Sequence, residues 1–122
     1  MKSSALTDEI SLVDVTLSAL DSEAEIEFQR RLGPKFTLVS SKVLGESHYR
    51  GGFTLEFSDG IRRVVATYGD LEFDVRIDGR ELFGPANHGE FSGIMFSREH
   101  LREHLPHIVD TALRSLRDER SL

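Results

Sequence analysis

A chain of 122 residues with 15 basic and 21 acidic side chains, a net charge of −6 and no cysteine has room for one domain, residues 1–122, and not for two. The missing thiols exclude a disulfide framework, a thiolate zinc site and a cysteine nucleophile; the negative balance disfavours nucleic acid and anionic membranes and suits a basic protein partner. A hydrophobic fraction of 39% supports a packed core, no apolar run approaches the roughly 20 residues of a membrane helix, and the polar start Met1–Leu6 does not read as a signal peptide, so the expected location is the cytoplasm.

The N-terminal third is patterned as helix. Leu6, Ile10, Val13, Leu17, Leu20, Ala24, Phe28 and Leu32 recur at steps of three and four, one stripe of a helix. Thr7, Asp8 and Glu9 suit its start, and Gly33-Pro34 its end. A second reading divides residues 8–32. Val13, Val15 and Leu17 then alternate as a strand, and Asp21 or Ser22 caps a shorter helix over Glu23–Leu32.

Beyond Pro34 the period becomes two. Phe36, Leu38 and the run through Val43 predict a first strand, followed by a polar turn region over Gly45–Gly52. Phe53, Leu55 and Phe57 alternate with polar neighbours as a second strand, Ser58-Asp59-Gly60 signals a hairpin, and Ile61–Tyr68 is a third strand. Gly69-Asp70 turns the chain into Leu71, Phe73, Val75 and Ile77, the cleanest alternation in the sequence. Asp78-Gly79 turns it again, with Glu81–Phe83 as a short extension. Four strands joined by short turns make an antiparallel meander.

Residues Gly84–Phe96 follow no period, and Phe91, Met95 and Phe96 either plug the core or form a contact patch rimmed by His88 and Glu90. Ser97 then caps a closing helix with the stripe Leu101, Leu105, Ile108, Ala112 and Leu116. Pro106 predicts a kink, or a stop near His104 with a restart. The charged tail Arg114–Leu122 is expected to fray. The fold expected is α+β: one N-terminal helix or two, a four-stranded antiparallel meander, and a C-terminal helix packed on one face.

His100-Leu101-Arg102-Glu103-His104 matches an inverted zinc-protease pattern. The third ligand of that pattern lies far downstream, and only 18 residues follow His104. His107 extends the row, but it stands roughly 10 Å from His100 along a helix axis, too far to share one ion. No cofactor and no metal are expected. There is no Gly-x-Ser-x-Gly elbow and no phosphate-binding loop, so no enzyme is expected.

The fourth strand offers a more promising surface. Asp70, Glu72, Asp74 and Asp78 share one parity and form a charged ridge with Arg76 among them, extended by Glu56 and by Arg62 or Arg63. Glu56, Asp70, Glu72, Asp74, His88, Glu90 and Phe91 are the candidate partner-binding residues. The competing reading is a solvated sheet face laced with weak ion pairs.

Helix, meander and closing helix in an acidic, cysteine-free chain, with the segments Gly79-Arg80-Glu81-Leu82-Phe83-Gly84 and Phe91-Ser92-Gly93 through Phe96-Ser97-Arg98-Glu99, resemble the small α+β immunity proteins of bacterial polymorphic toxin systems. The resemblance is one of overall style, so no binding residue carries over. It implies a protein that binds and neutralises a cognate toxin without a cofactor; the chain itself is expected as a monomer or homodimer. Two alternatives stand beside it: an acidic secretion-chaperone-like dimer, and a ligand-binding or enzymatic domain with a pocket between sheet and helices, lined by His48, Tyr49 or Tyr68.

Overall fold

The computed structural model describes residues 15–47, 50–84 and 95–121, the last seven as helix backbone. Helix α1 spans Leu17–Leu32. Its cap is Thr16, whose extended backbone lets Oγ1 accept the Ala19 N–H at 3.0 Å. Asp21 and Ser22 therefore lie inside the helix and cap nothing. The stripe Leu17, Leu20, Ala24, Phe28 and Leu32 is buried without interruption, which favours helix over strand from Leu17 onward. The earlier part of the stripe, with Thr7, Asp8 and Glu9, lies outside the described residues. Gly33 ends the helix at φ 90°, its N–H donating to the Gln29 carbonyl. Gln29 Nε2 fixes the exit by donating to the carbonyls of Gly33 and Phe36 at 3.1 and 2.7 Å.

The sheet has five strands, not four. In sequence order they are β1 (Thr37–Leu44), β2 (Gly52–Ser58), β3 (Arg63–Gly69), β4 (Glu72–Ile77) and β5 (Arg80–Phe83), each antiparallel to the next. The added strand is the segment expected as a mere extension. Asp78 and Gly79 both take positive φ, 49° and 86°. Such a two-residue turn matches the twist of the flanking strands and sends Arg80 and Glu81 back beside Ile77 and Arg76. Asp70 and Leu71 turn in the same way at φ 56° and 69°, so β4 starts at Glu72 and the apolar alternation runs through Phe73, Val75 and Ile77 only.

The third strand also starts later than its pattern predicts. The Asp59 carboxylate accepts the N–H groups of Ile61 and Arg62 at 2.9 and 2.7 Å, and Gly60 N–H donates to Ser58 Oγ. This closed turn holds Ile61 in solvent, 89% exposed, and the ladder resumes at Arg63.

One face of the sheet carries the core. Phe53, Leu55, Phe57, Val64, Ala66, Tyr68, Phe73, Val75 and Ile77 point to the same side, all buried. The Phe28 ring of α1 stacks on Phe57 at 5.9 Å and meets Phe73 at 6.4 Å; Phe83 meets Phe73 edge-on at 6.0 Å. Helix α2 spans Arg98–Ser121 and is capped by Ser97 Oγ, which accepts the His100 N–H at 3.1 Å. It runs through Pro106 without a stop and continues past the point where fraying was expected. Pro106 is exposed, while Leu101, Leu105, Ile108, Val109, Ala112 and Leu113 are buried; that packed side offsets the missing N–H. Phe96, just before the cap, is fixed from both sides: its N–H donates to Leu71 O at 2.7 Å and its carbonyl accepts the buried Tyr68 hydroxyl at 2.6 Å.

No helix among the described residues is long and apolar enough to cross a membrane.

Candidate functional site

Among the described residues, no helix covers the sheet's second face. Strand alternation sends Lys42, Thr54, Glu56, Val65, Thr67, Glu72, Asp74, Arg76 and Glu81 to it. The register orders these side chains in rows. Lys42, Thr54, Thr67 and Asp74 stand side by side across four strands, and Ser40, Glu56, Val65, Arg76 and Glu81 form the neighbouring row.

Of the expected acidic ridge, Glu72, Asp74 and Glu56 lie on this face, laced with arginine, while Asp70 and Asp78 sit in the turns at either end of β4. Glu56 pairs with Arg63 at 2.6 Å. Asp74 pairs with Arg76 at 2.9 Å, and the same guanidinium lies 3.8 Å from Glu81. Asp70 pairs with Arg50, tying the turn after β3 to the loop before β2, where the Asp70 N–H also donates to the Arg50 carbonyl. Asp78 braces the start of β3, with Oδ1 accepting the Arg63 N–H at 2.9 Å and its own N–H donating to the Arg63 carbonyl. Glu72 is exposed and makes no ion pair among the described residues. The ridge therefore brings Asp74 and Glu81 together around one arginine, with Glu72 further along β4 opposite Gly69, Glu56 two strands away and Asp70 at the turn. His88, Glu90 and Phe91, the loop half of the expected site, lie outside the described residues.

Above the threonine row the sheet has a notch. Leu44 is opposite Gly52, and Gly69 is opposite Glu72; Gly52 and Gly69 are themselves neighbours, the Gly69 Cα lying 2.8 Å from where a Gly52 Cβ would stand. Two adjacent strands thus lack a side chain at the same level. The result is a cleft of about 420 Å³, floored by glycine backbone and bounded by Leu44, Lys42, Thr54, Thr67 and Arg50. Lys42 is exposed and makes no ion pair among the described residues. This cleft opens on the far side of the sheet from the expected pocket. Among the described residues, the rings of Phe28, Phe36, Phe57, Phe73 and Phe83 pack into the core between sheet and helices. Tyr68 turns its ring into that core, and His48 and Tyr49 are not among the described residues.

His100 and His104 meet ring to ring at 4.7 Å, with Phe96 5.3 Å from His100. Among the described residues no group of three histidines or carboxylates is placed to hold an ion.

A clasp that the sequence pattern missed organises the loop end of the sheet. The Glu46 carboxylate accepts the N–H groups of Leu17 and Ser18 at 2.6 and 3.0 Å and the Ser18 hydroxyl at 2.9 Å. These are the unsatisfied donors of the α1 N-terminus. Burial pushes the Glu46 carboxyl up, but these donors and the Arg98 charge outweigh it and hold the group below its ordinary 4.5. The only sequence signal was the absence of acidic residues from the first turn of α1, a gap that Glu46 fills from another loop.

No family model matches the chain, and no curated protein or solved structure is significantly similar to it. The functional reading rests on the geometry above.

Proposed function

We propose that the chain is a non-enzymatic binding protein of the immunity or inhibitor kind, which docks a basic protein partner on the β4–β5 half of the open sheet face. One observation carries the reading: among the described residues the helices pack on one face of the sheet, while the other presents Asp74 and Glu81 beside the Arg76 guanidinium, with the unpaired Glu72 further along β4. Fixed carboxylates on a preorganised surface lose little entropy on association, and their field steers a cationic partner into contact. The overall charge of −6 acts in the same direction.

Isothermal calorimetry against the basic product of a neighbouring gene tests the proposal. Reversal of two charges, Glu72→Lys with Asp74→Lys, is expected to weaken binding at least roughly tenfold, about 1.4 kcal/mol, and to flatten its salt dependence. Affinity unchanged by the double reversal, in a variant with a native circular dichroism spectrum, removes this face as the contact. The dimeric chaperone-like alternative makes a different demand: a monomer in light scattering at all working concentrations counts against it.

A further inference from the structure

We infer that the glycine-floored cleft on the β1–β3 half of the open face is a binding site for a small aromatic carboxylate. The inference does not rest on the protein-partner reading, although the two surfaces adjoin, Gly69 standing opposite Glu72 and Thr67 opposite Asp74.

The argument begins with what the glycines are for. Gly52 is demanded by the backbone, because a Cβ there would lie 1.8 Å from the Tyr68 carbonyl oxygen. Gly69 is not demanded by anything in the fold. Its φ lies outside the left-handed region, and an added Cβ would meet no atom within 4 Å. Glycine in a strand costs stability through the freedom of the unfolded chain and the packing it forgoes. A strand glycine with neither strain nor crowding to explain it leaves one physical effect, which is clearance. The space cleared is two strands wide and one side-chain layer deep, the shape that accepts a flat ring laid on peptide planes. At about 420 Å³ it falls within the range of small-molecule sites.

The rim supplies the polar half. Lys42, Thr54 and Thr67 stand in one row along the lower edge of the notch, which Asp74, paired with Arg76, continues on β4. Neighbouring strands are about 4.8 Å apart, so the ammonium and the two hydroxyls line up as donors for a carboxylate placed at that edge. Lys42 is the one cation in the lining without an ion pair among the described residues; Arg50 is engaged by Asp70 across the top. Leu44, 65% exposed, forms an apolar wall at the β1 side. A ligand with a flat apolar body and a single anionic group at one edge satisfies the floor, the wall and the row together. An inorganic anion leaves the floor and wall unused, and a neutral ring leaves Lys42 unused.

Titration of the ¹⁵N-labelled chain, followed by amide shifts, reads this directly. Benzoate is expected to bind saturably with a Kd on the order of millimolar, with the largest shifts at Gly51, Gly52 and Gly69. Benzyl alcohol and acetate serve as the neutral and the body-less probes, each expected to bind at least about fivefold more weakly. Lys42→Gln is expected to weaken benzoate by a similar factor and to leave benzyl alcohol unchanged. Gly69→Ala, whose methyl enters the cleft without touching the fold, is expected to weaken both aromatic probes. Absence of saturable shifts with benzoate overturns the site. Equal binding of benzoate and benzyl alcohol, or benzoate binding indifferent to both Lys42→Gln and Gly69→Ala, overturns the assignment of its ligand.

Discussion

Arg98 donates to the Glu46 backbone carbonyl at 3.0 Å while another of its nitrogens stands 3.5 Å from the Glu46 carboxylate. The same guanidinium reaches the Val15 carbonyl at 3.4 Å. One arginine at the start of α2 thereby joins the β1–β2 loop to the chain entering α1, and Glu46 completes the junction by capping α1. This three-way contact lies at the end of the sheet where the cleft is, since Glu46 directly follows the cleft residues Leu44 and Gly45.

Removing the carboxylate tests the clasp. Glu46→Gln is expected to lower stability by about 1 kcal/mol, the usual scale for loss of a helix cap, measured by urea denaturation at neutral pH. Because the folded carboxyl lies below its ordinary 4.5, its contribution is complete above that value and declines as pH falls through the folded value. Asp59 behaves in the same sense, since the backbone N–H groups of Arg62 and Ile61 hold it below 3.8. The wild-type chain is therefore expected to lose stability on acidification from about 4.5 downward, and the Glu46→Gln variant to lose less across the same interval. Parallel pH profiles for the two proteins would exclude the clasp as a source of that dependence.

A second prediction concerns the connection between sheet and closing helix. The Tyr68 hydroxyl is buried and donates to Phe96 O, and the Phe96 N–H donates to Leu71 O. Tyr68→Phe leaves the Phe96 carbonyl without this buried partner, at an expected cost of about 1–2 kcal/mol. The ring contact with Phe53 at 5.7 Å is retained, so the loss reports the hydrogen bond and not a cavity. Faster hydrogen exchange at the Phe96 amide, against little change at Val75 in mid-sheet, is the local signature; uniform acceleration would indicate global destabilisation alone.

These relationships differ in how far they can be read along the chain. Alternation over Phe53–Phe57 and Phe73–Ile77 is a local property, and the burial of those residues follows from it. The parity of Glu72 and Asp74 is local too, so the acidic side of β4 was legible. Their arginine partners were less so, because the Glu56–Arg63 pair depends on which residue of β3 faces which residue of β2. β5 reads only as a short extension over Glu81–Phe83, because four residues are too few to establish a period. The cleft needs Gly52 beside Gly69, and the clasp needs Glu46 beside Leu17, 29 positions away. Contacts of that kind are products of register and closure, which no single-segment pattern contains.

The glycines provide the sharpest separation of backbone need from open space. Gly33→Ala adds a methyl that meets nothing, but at φ 90°, so the cost is conformational strain of about 1 kcal/mol. Gly52→Ala drives its Cβ to 1.8 Å from the Tyr68 carbonyl oxygen, which belongs to the neighbouring strand's backbone and cannot rotate aside; a loss of about 3 kcal/mol or more is expected. Gly69→Ala faces neither obstacle and reduces the entropy of the unfolded chain, so stability is expected to hold or to rise by up to about 1 kcal/mol. Thermal and urea unfolding of the three variants rank them directly as Gly69→Ala, Gly33→Ala and Gly52→Ala in falling stability. If Gly69→Ala proved as damaging as Gly52→Ala, Gly69 would be answering a demand of the fold. The cleared floor beside Lys42 would then be a by-product of the turn at Asp70 and not a feature of the site.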